Sequence, residues 1–70
     1  MTPEQLAALA AEREAHDAFD RAMIARDAIE RCCSDEWRAA HVEATRLARA
    51  WKRAREATFA CGAASKPYWW

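Results

Sequence analysis

Apolar residues recur along the first half of the chain at the spacing of one helix face. The positions in phase are 8, 11, 15, 18, 22, 25, 29 and 32, which read Ala, Ala, Ala, Ala, Ala, Ala, Ile and Cys. This run predicts a long amphipathic helix with a coiled-coil-like, alanine-lined seam. Thr2, Pro3 and Gln5 form a capping box with proline in the first turn, so we expect the helix to span about residues 3–33.

The second half of the chain repeats the pattern in a different phase. Its positions are 37, 40, 44, 47, 51, 54, 58 and 61, which read Trp, Ala, Ala, Leu, Trp, Ala, Thr and Cys. Ser34 is a favourable N-cap, and Gly62 followed by Pro67 marks a helix end. We expect a second helix over about residues 35–61 and a tail over about 63–70.

The change of phase near residue 34 predicts a reversal of the chain. The expected fold is a single all-α domain, an antiparallel two-helix hairpin in which paired positions sum to about 69. Trp51 would then lie opposite Ala18, and Leu47 would lie opposite Ala22. Large side chains facing small ones let two helices approach closely.

The hairpin leaves many apolar side chains uncovered. Seventy residues bury little surface on folding, and small domains commonly gain stability from another subunit. We therefore expect a homodimer that forms a four-helix bundle. The tail is the alternative cover for some of these residues. The uncovered apolar residues are Leu6, Leu9, Phe19, Met23, Ile24, Val42 and Phe59.

The tail ends in Tyr68, Trp69 and Trp70. These aromatic residues either fold back over the open end of the hairpin or dock on a partner, because Trp and Tyr dominate binding hot spots. Free aromatic tails are an aggregation liability, which favours the first hypothesis, a structural plug.

Charge adds a second candidate surface. The chain is neutral overall, with 11 basic and 11 acidic residues, yet Arg46, Arg49 and Arg53 share one face of a basic run. A nucleic-acid interface would use these arginines on phosphates, with Trp51 stacking on bases. The alternative, which the neutral balance favours, is pairing with acids of the first helix. Those acids are Glu12, Glu14, Asp17 and Asp20.

The residues that carry chemistry do not form a familiar pattern. Cys32 and Cys33 are adjacent and lack Cys-x-x-Cys spacing, and a hairpin places Cys61 at its far end, so we expect no disulfide to Cys61 and no metal site. His16 and His41 lie too far apart to act together. We expect no cofactor and no enzymatic activity. Without a signal-peptide pattern or a membrane-length apolar run, we expect a cytoplasmic protein with no membrane contact.

The expected function is that of a small non-enzymatic protein-binding module. Small Ala/Arg-rich helical chains are typical of phage or mobile-element inhibitors, so an anti-defence inhibitor of a host protein complex, acting in the host cytoplasm, is one specific hypothesis. Two alternatives stay open, a nucleic-acid binder and an oligomer that sequesters a small anionic ligand. The expected partner-binding residues are Leu9, Phe19, Met23, Tyr68, Trp69 and Trp70, with Arg46, Arg49 and Arg53 as a steering rim.

Overall fold

The computed structural model describes all 70 residues and contains two helices and no strand. Helix α1 spans Pro3–Asp27 and helix α2 spans Asp35–Ala60. The two helices pack against each other in opposite directions, since Gln5 hydrogen-bonds to Cys61 at one end and Arg26 to His41 at the other. This arrangement confirms the predicted all-α hairpin. Neither helix combines the length and the apolar character that crossing a membrane requires.

The starts of both helices follow from local hydrogen bonding. In α1 the Gln5 amide donates to Thr2 Oγ1 at 3.2 Å, and the Thr2 amide donates to Gln5 Oε1 at 3.0 Å. In α2 the Trp37 amide donates to Ser34 Oγ at 3.2 Å. These contacts satisfy backbone donors that the first helical turn leaves without partners, so the predicted capping box and N-cap are both present.

The end of α1 differs from the prediction. The helix stops at Asp27, whereas the apolar spacing predicted continuation to residue 33. A helix running to residue 33 would leave almost no chain in which to reverse direction before α2. The reversal instead occupies residues 28–34, where Cys33 adopts the left-handed conformation at φ 65°. Ile29 and Cys32 therefore belong to the linker and not to the seam.

The positions of α2 that face α1 agree with the predicted seam. Helix α1, in contrast, is rotated about its axis relative to the prediction. All eight predicted α2 positions are buried or half-buried. In α1, Ala11 and Ala25 are exposed, while Glu12, Phe19 and Arg26 turn toward α2. The alanine seam was therefore only partly correct. Long side chains bury more surface per turn than alanine does, and this favours the observed rotation.

The register between the helices is also shifted from the predicted one. Thr58 Oγ1 approaches the Ala8 carbonyl oxygen at 3.5 Å, and Arg55 pairs with Glu12. Paired positions therefore sum to about 66 or 67, not 69. The shift follows from the linker, because the reversal is centred before residue 34 and each α1 residue meets an earlier residue of α2.

The hairpin is a single layer with almost no interior. Only Ala44, Thr58 and Glu12 are buried, and the molecule measures 46 × 24 × 13 Å. Its accessible surface is 5267 Å², whereas a compact monomer of 8.0 kDa is expected to expose about 4,450 Å². Both broad faces of the layer are therefore open to solvent or to another chain.

Two left-handed residues flank α2, and only one of them is glycine. Gly62, at φ 79°, ends the helix in a Schellman motif. The Gly62 amide donates to the Phe59 carbonyl oxygen at 3.1 Å, and the Ala63 amide donates to the Thr58 carbonyl oxygen at 3.0 Å. Cys33 adopts a similar φ with a side chain, which is sterically unfavourable.

Substitutions at these two positions are expected to have opposite effects. Gly62→Ala should lower the free energy of unfolding by about 1 kcal/mol, because a Cβ is strained at this φ. The space itself is adequate, since an added Cβ would lie 3.5 Å from Gln5 Nε2. Cys33→Gly should raise the free energy of unfolding by about 0.5 kcal/mol. Urea denaturation followed by circular dichroism measures both, and changes of equal sign would contradict the assignment.

Candidate partner-binding site

One broad face of the hairpin holds an open cleft of about 540 Å³ between the helices and the tail. We call it the aromatic cleft. Leu9 and His16 come from α1, where two turns of helix separate them by about 10 Å along the axis. Helix α2 contributes the opposite wall, and the tail closes one end. The full lining is Leu9, Glu12, Arg13, His16, Trp51, Arg55, Trp69 and Trp70.

The floor of the aromatic cleft is an ion pair between the helices. Arg55 Nη1 donates to Glu12 Oε1 at 2.5 Å, and the Glu12 side chain is only 11% exposed. The Arg55 guanidinium also lies 5.0 Å from the ring centre of Phe59 and 5.8 Å from that of Trp70. These contacts fix the guanidinium and neutralise its charge, so the floor presents a nearly neutral surface.

Trp51 forms the wall of the cleft on the α2 side. Its ring meets His16 edge-on with centroids 5.2 Å apart, and it stacks parallel to Phe19 with centroids 5.9 Å apart. Phe19 thus lies behind Trp51 and supports it. Aromatic pairs in these geometries are favourable, and they position the Trp51 ring as the wall of the cleft.

The tail is divided between packing and exposure. Trp70 packs edge-on against Phe59 with centroids 5.5 Å apart and is half-buried. Trp69 contacts Trp70 but is 68% exposed, and Tyr68 is fully exposed. The plug hypothesis therefore holds for Trp70 alone. Of the other two, Trp69 lines the cleft, whereas Tyr68 is exposed outside its lining.

The structure brings together only part of the expected partner-binding set. Leu9, Trp69 and Trp70 line one cleft, and Phe19 supports its wall. Met23 is half-buried two turns beyond His16 and does not reach the cleft. Leu6, one of the apolar residues that either a second subunit or the tail could cover, stays 56% exposed.

The three arginines expected to form a rim lie elsewhere. Arg46, Arg49 and Arg53 line a separate groove of about 470 Å³ on the outer side of α2. Trp51 faces α1, so it cannot stack on a ligand held by these arginines. Arg46 bonds to Glu43 in its own helix and lowers the pKa of that carboxyl group. Because that pKa is lowered in the folded chain, the pair's contribution to stability is lost as the pH falls through it.

Of the basic residues at positions 46–55 of α2, one forms the expected ion pair with α1. Only Arg55 reaches an acid of α1. Arg49 and Arg53 make no ion pair, since they point away from α1 and Arg46 takes Glu43. The groove on the outer side of α2 therefore keeps two free positive charges.

Five lining residues of the cleft are absent from the set expected from the sequence, namely Glu12, Arg13, His16, Trp51 and Arg55. The sequence pattern places Glu12 among the surface acids, His16 apart from His41 and Trp51 in the seam, and it assigns Arg13 and Arg55 to no site. The sequence signal for the register of the hairpin is one charged residue on the inward face of each helix. These residues are Glu12 and Arg55, whose position numbers sum to 67. Such a pair marks the register more directly than alanines, which fit any phase.

The Glu12 side chain is expected to matter for stability far more than its neighbours. Glu12→Ala leaves the Arg55 charge partly buried without its partner and should lower the free energy of unfolding by about 1–2 kcal/mol. Glu14→Ala is the matched control, since Glu14 is an exposed acid in the same helix without an ion pair. Equal losses in thermal or urea unfolding would contradict the role given to the ion pair.

A second cluster lies at the linker end of the hairpin. Arg26 donates to His41 Nδ1 at 3.0 Å and lies over the Trp37 ring at 5.6 Å, while Trp37 stacks on His41. This cluster fastens the end of α1 to the start of α2. No group of three or more His, Cys, Asp or Glu side chains lies close enough together to hold a metal ion.

Comparisons with protein-family models, with curated proteins and with solved structures found no match to this chain. The functional assignment therefore depends on the geometry of the aromatic cleft and of the two open faces.

Proposed function

We propose that this protein is a non-enzymatic binding module that docks another protein on the aromatic cleft. The observation that carries the proposal is the exposure of Trp69 in the lining of an open cleft whose wall and floor are built by contacts between the helices. Large exposed aromatic groups next to an apolar groove are typical of protein interfaces. Once docked, this protein would cover part of its partner's surface. An inhibitor of a larger protein complex works in the same way.

The cleft offers apolar surface and one arginine, Arg13, that makes no ion pair, so its chemistry indicates an amphipathic occupant. Arg55 is already paired with Glu12, so an acidic ligand would have to compete with a short, partly buried ion pair. Leu9, Trp51 and Trp70 offer apolar surface instead. An amphipathic helix of the partner, with apolar side chains spaced two turns apart, would match the separation of Leu9 and His16.

Self-association would use a different face. At about 100° per residue, Ala11, Ala18 and Ala25 form one line on α1, well away from Leu9 and His16. We call this line the alanine strip; Ala11 and Ala25 are exposed and Ala18 is half-buried. Small side chains permit close helix packing, so two hairpins would form the proposed four-helix bundle here. The aromatic cleft of each copy would then stay open for the partner.

Site-specific cross-linking tests the docking proposal. A photo-reactive amino acid at Trp69 should cross-link a partner in the host cell, whereas the same group at Val42 should not. Val42 is a suitable control because it is 69% exposed on the outer groove of α2.

The affinity of the purified partner is then measured for the unaltered chain and for its variants. Leu9→Ser and Trp70→Ala should each weaken the affinity by about 10-fold or more, as hot-spot residues do. Val42→Ala should leave the affinity unchanged, and added salt should weaken it little. A partner that cross-links through Val42, or binds Trp70→Ala as tightly as the unaltered chain, would overturn the proposal.

The basic groove supports a second candidate function, binding of nucleic acid or of a smaller anion. Arg49 and Arg53 are unpaired and lie in one groove with His41. This function predicts that Arg49→Glu with Arg53→Glu abolishes binding of a DNA or RNA oligonucleotide, and that affinity falls steeply with salt. A measurable oligonucleotide affinity that is unchanged by both substitutions would rule out this second function.

A further inference from the structure

The linker between the helices places two thiols side by side. Cys32 and Cys33 are free and exposed, and their sulfur atoms are 3.5 Å apart. Consecutive side chains of a helix point about 100° apart, so two adjacent helical thiols would rarely share one ligand. The structure removes that objection, because both residues lie outside α1 and Cys33 has a φ of 65°.

We propose that Cys32 and Cys33 form a dithiol site that binds one trivalent arsenic atom through both sulfurs. An atom that bonds two sulfurs at about 2.3 Å, with an angle of about 100° between the bonds, holds them about 3.5 Å apart. The observed separation already has this value. Trivalent arsenic is thiophilic, makes pyramidal bonds of this kind, and needs no further protein ligand.

Two competing uses of the thiol pair fit the structure less well. A disulfide between consecutive residues would join Cα atoms about 3.8 Å apart, which is closer than disulfides normally allow. A four-coordinate metal ion would need two more ligands, and no third His, Cys, Asp or Glu lies within reach.

The binding step balances without any change of oxidation state. An arsenical of the form R–As=O condenses with the two thiols. Two As–S bonds form, two S–H bonds break, and the arsenical oxygen leaves as water with both thiol protons. Inorganic arsenite, As(OH)₃, also condenses with both thiols: two As–S bonds form, two hydroxyl groups leave as two waters with the thiol protons, and the third hydroxyl stays on arsenic.

Phenylarsine oxide is the probe that tests the site on the full, reduced chain. Intact-mass measurement should show one phenylarsenic group per chain, and the number of free thiols should fall from three to one. Cys61→Ser should bind equally well. Cys32→Ser and Cys33→Ser should each weaken binding by roughly 10²–10⁴-fold, because the second As–S bond no longer forms within one molecule. Arsenite should compete with the probe, and an added 1,2-dithiol should reverse binding.

The variants separate the proposal from simple thiol reactivity. Both cysteines are exposed in the linker, so the serine variants should keep the helix content of the unaltered chain by circular dichroism. Loss of binding in Cys61→Ser would overturn the proposal. Retention of full affinity in either Cys32→Ser or Cys33→Ser, with normal helix content, would overturn it as well.

Discussion

Replacing Ala44 with leucine is expected to lower the free energy of unfolding by about 2–3 kcal/mol, because an over-packed side chain forces its neighbours to move. Ala44 is 1% exposed and is the only buried apolar residue of the hairpin. Its methyl group fills the space between the helices, so a larger side chain has to push α1 away. The separation would also strain the Glu12–Arg55 ion pair and open the aromatic cleft.

Ala39→Leu is the control for this prediction. Ala39 lies in the same helix but is exposed, and the change in helix propensity is the same at both positions. Urea unfolding should show a change within about 0.5 kcal/mol for this variant. Similar unfolding midpoints for the two leucine variants would mean that the helices do not meet closely at Ala44.

Replacing Trp51 with alanine is expected to have the largest effect on the fold and on binding together. Trp51 contacts both His16 and Phe19 across the interface between the helices. Losing a large packed aromatic side chain costs about 3–5 kcal/mol, which approaches the whole stability of a small domain. We therefore expect loss of most of the helical signal at room temperature and loss of the cleft wall.

The tail supplies a matched control for the loss of a tryptophan. Trp69 is 68% exposed, so Trp69→Ala should change the free energy of unfolding by less than about 0.5 kcal/mol. If Trp69 belongs to the docking surface, this variant keeps its fold and loses partner affinity. A fully folded Trp51→Ala variant, or an unfolded Trp69→Ala variant, would contradict the assigned positions of the two rings.

Much of the fold follows from the sequence where side chains differ in size. Trp37, Leu47 and Trp51 share one face of α2 with small residues, and this contrast fixes the phase of that helix. Alanine does not fix a phase in the same way, because it is tolerated inside and outside alike. The phase of α1 was therefore set by Phe19 and by the two charged side chains that reach α2.

The register and the cleft depended on contacts that a single-helix pattern does not contain. Glu12 meets Arg55 only once the length of the linker is known, and that length depends on where α1 ends. Its end was hidden because Ile29 and Cys32 continue the apolar spacing beyond Asp27. The position of Trp70 likewise depends on the Schellman turn at Gly62, which directs the tail toward Phe59.

If another protein chain completes this single-layer hairpin, the protein is a dimer in solution. Light scattering after size exclusion, performed on the full chain and on a version ending at Lys66, tests it most directly. We expect each version to be a dimer with twice the mass of its own chain, which is 8.0 kDa for the full chain, and only the full chain to bind the partner. Ala11→Arg, placed on the alanine strip, should yield a monomer, while Ala10→Arg should not. A full chain that is monomeric and stably folded at every concentration would contradict the claim.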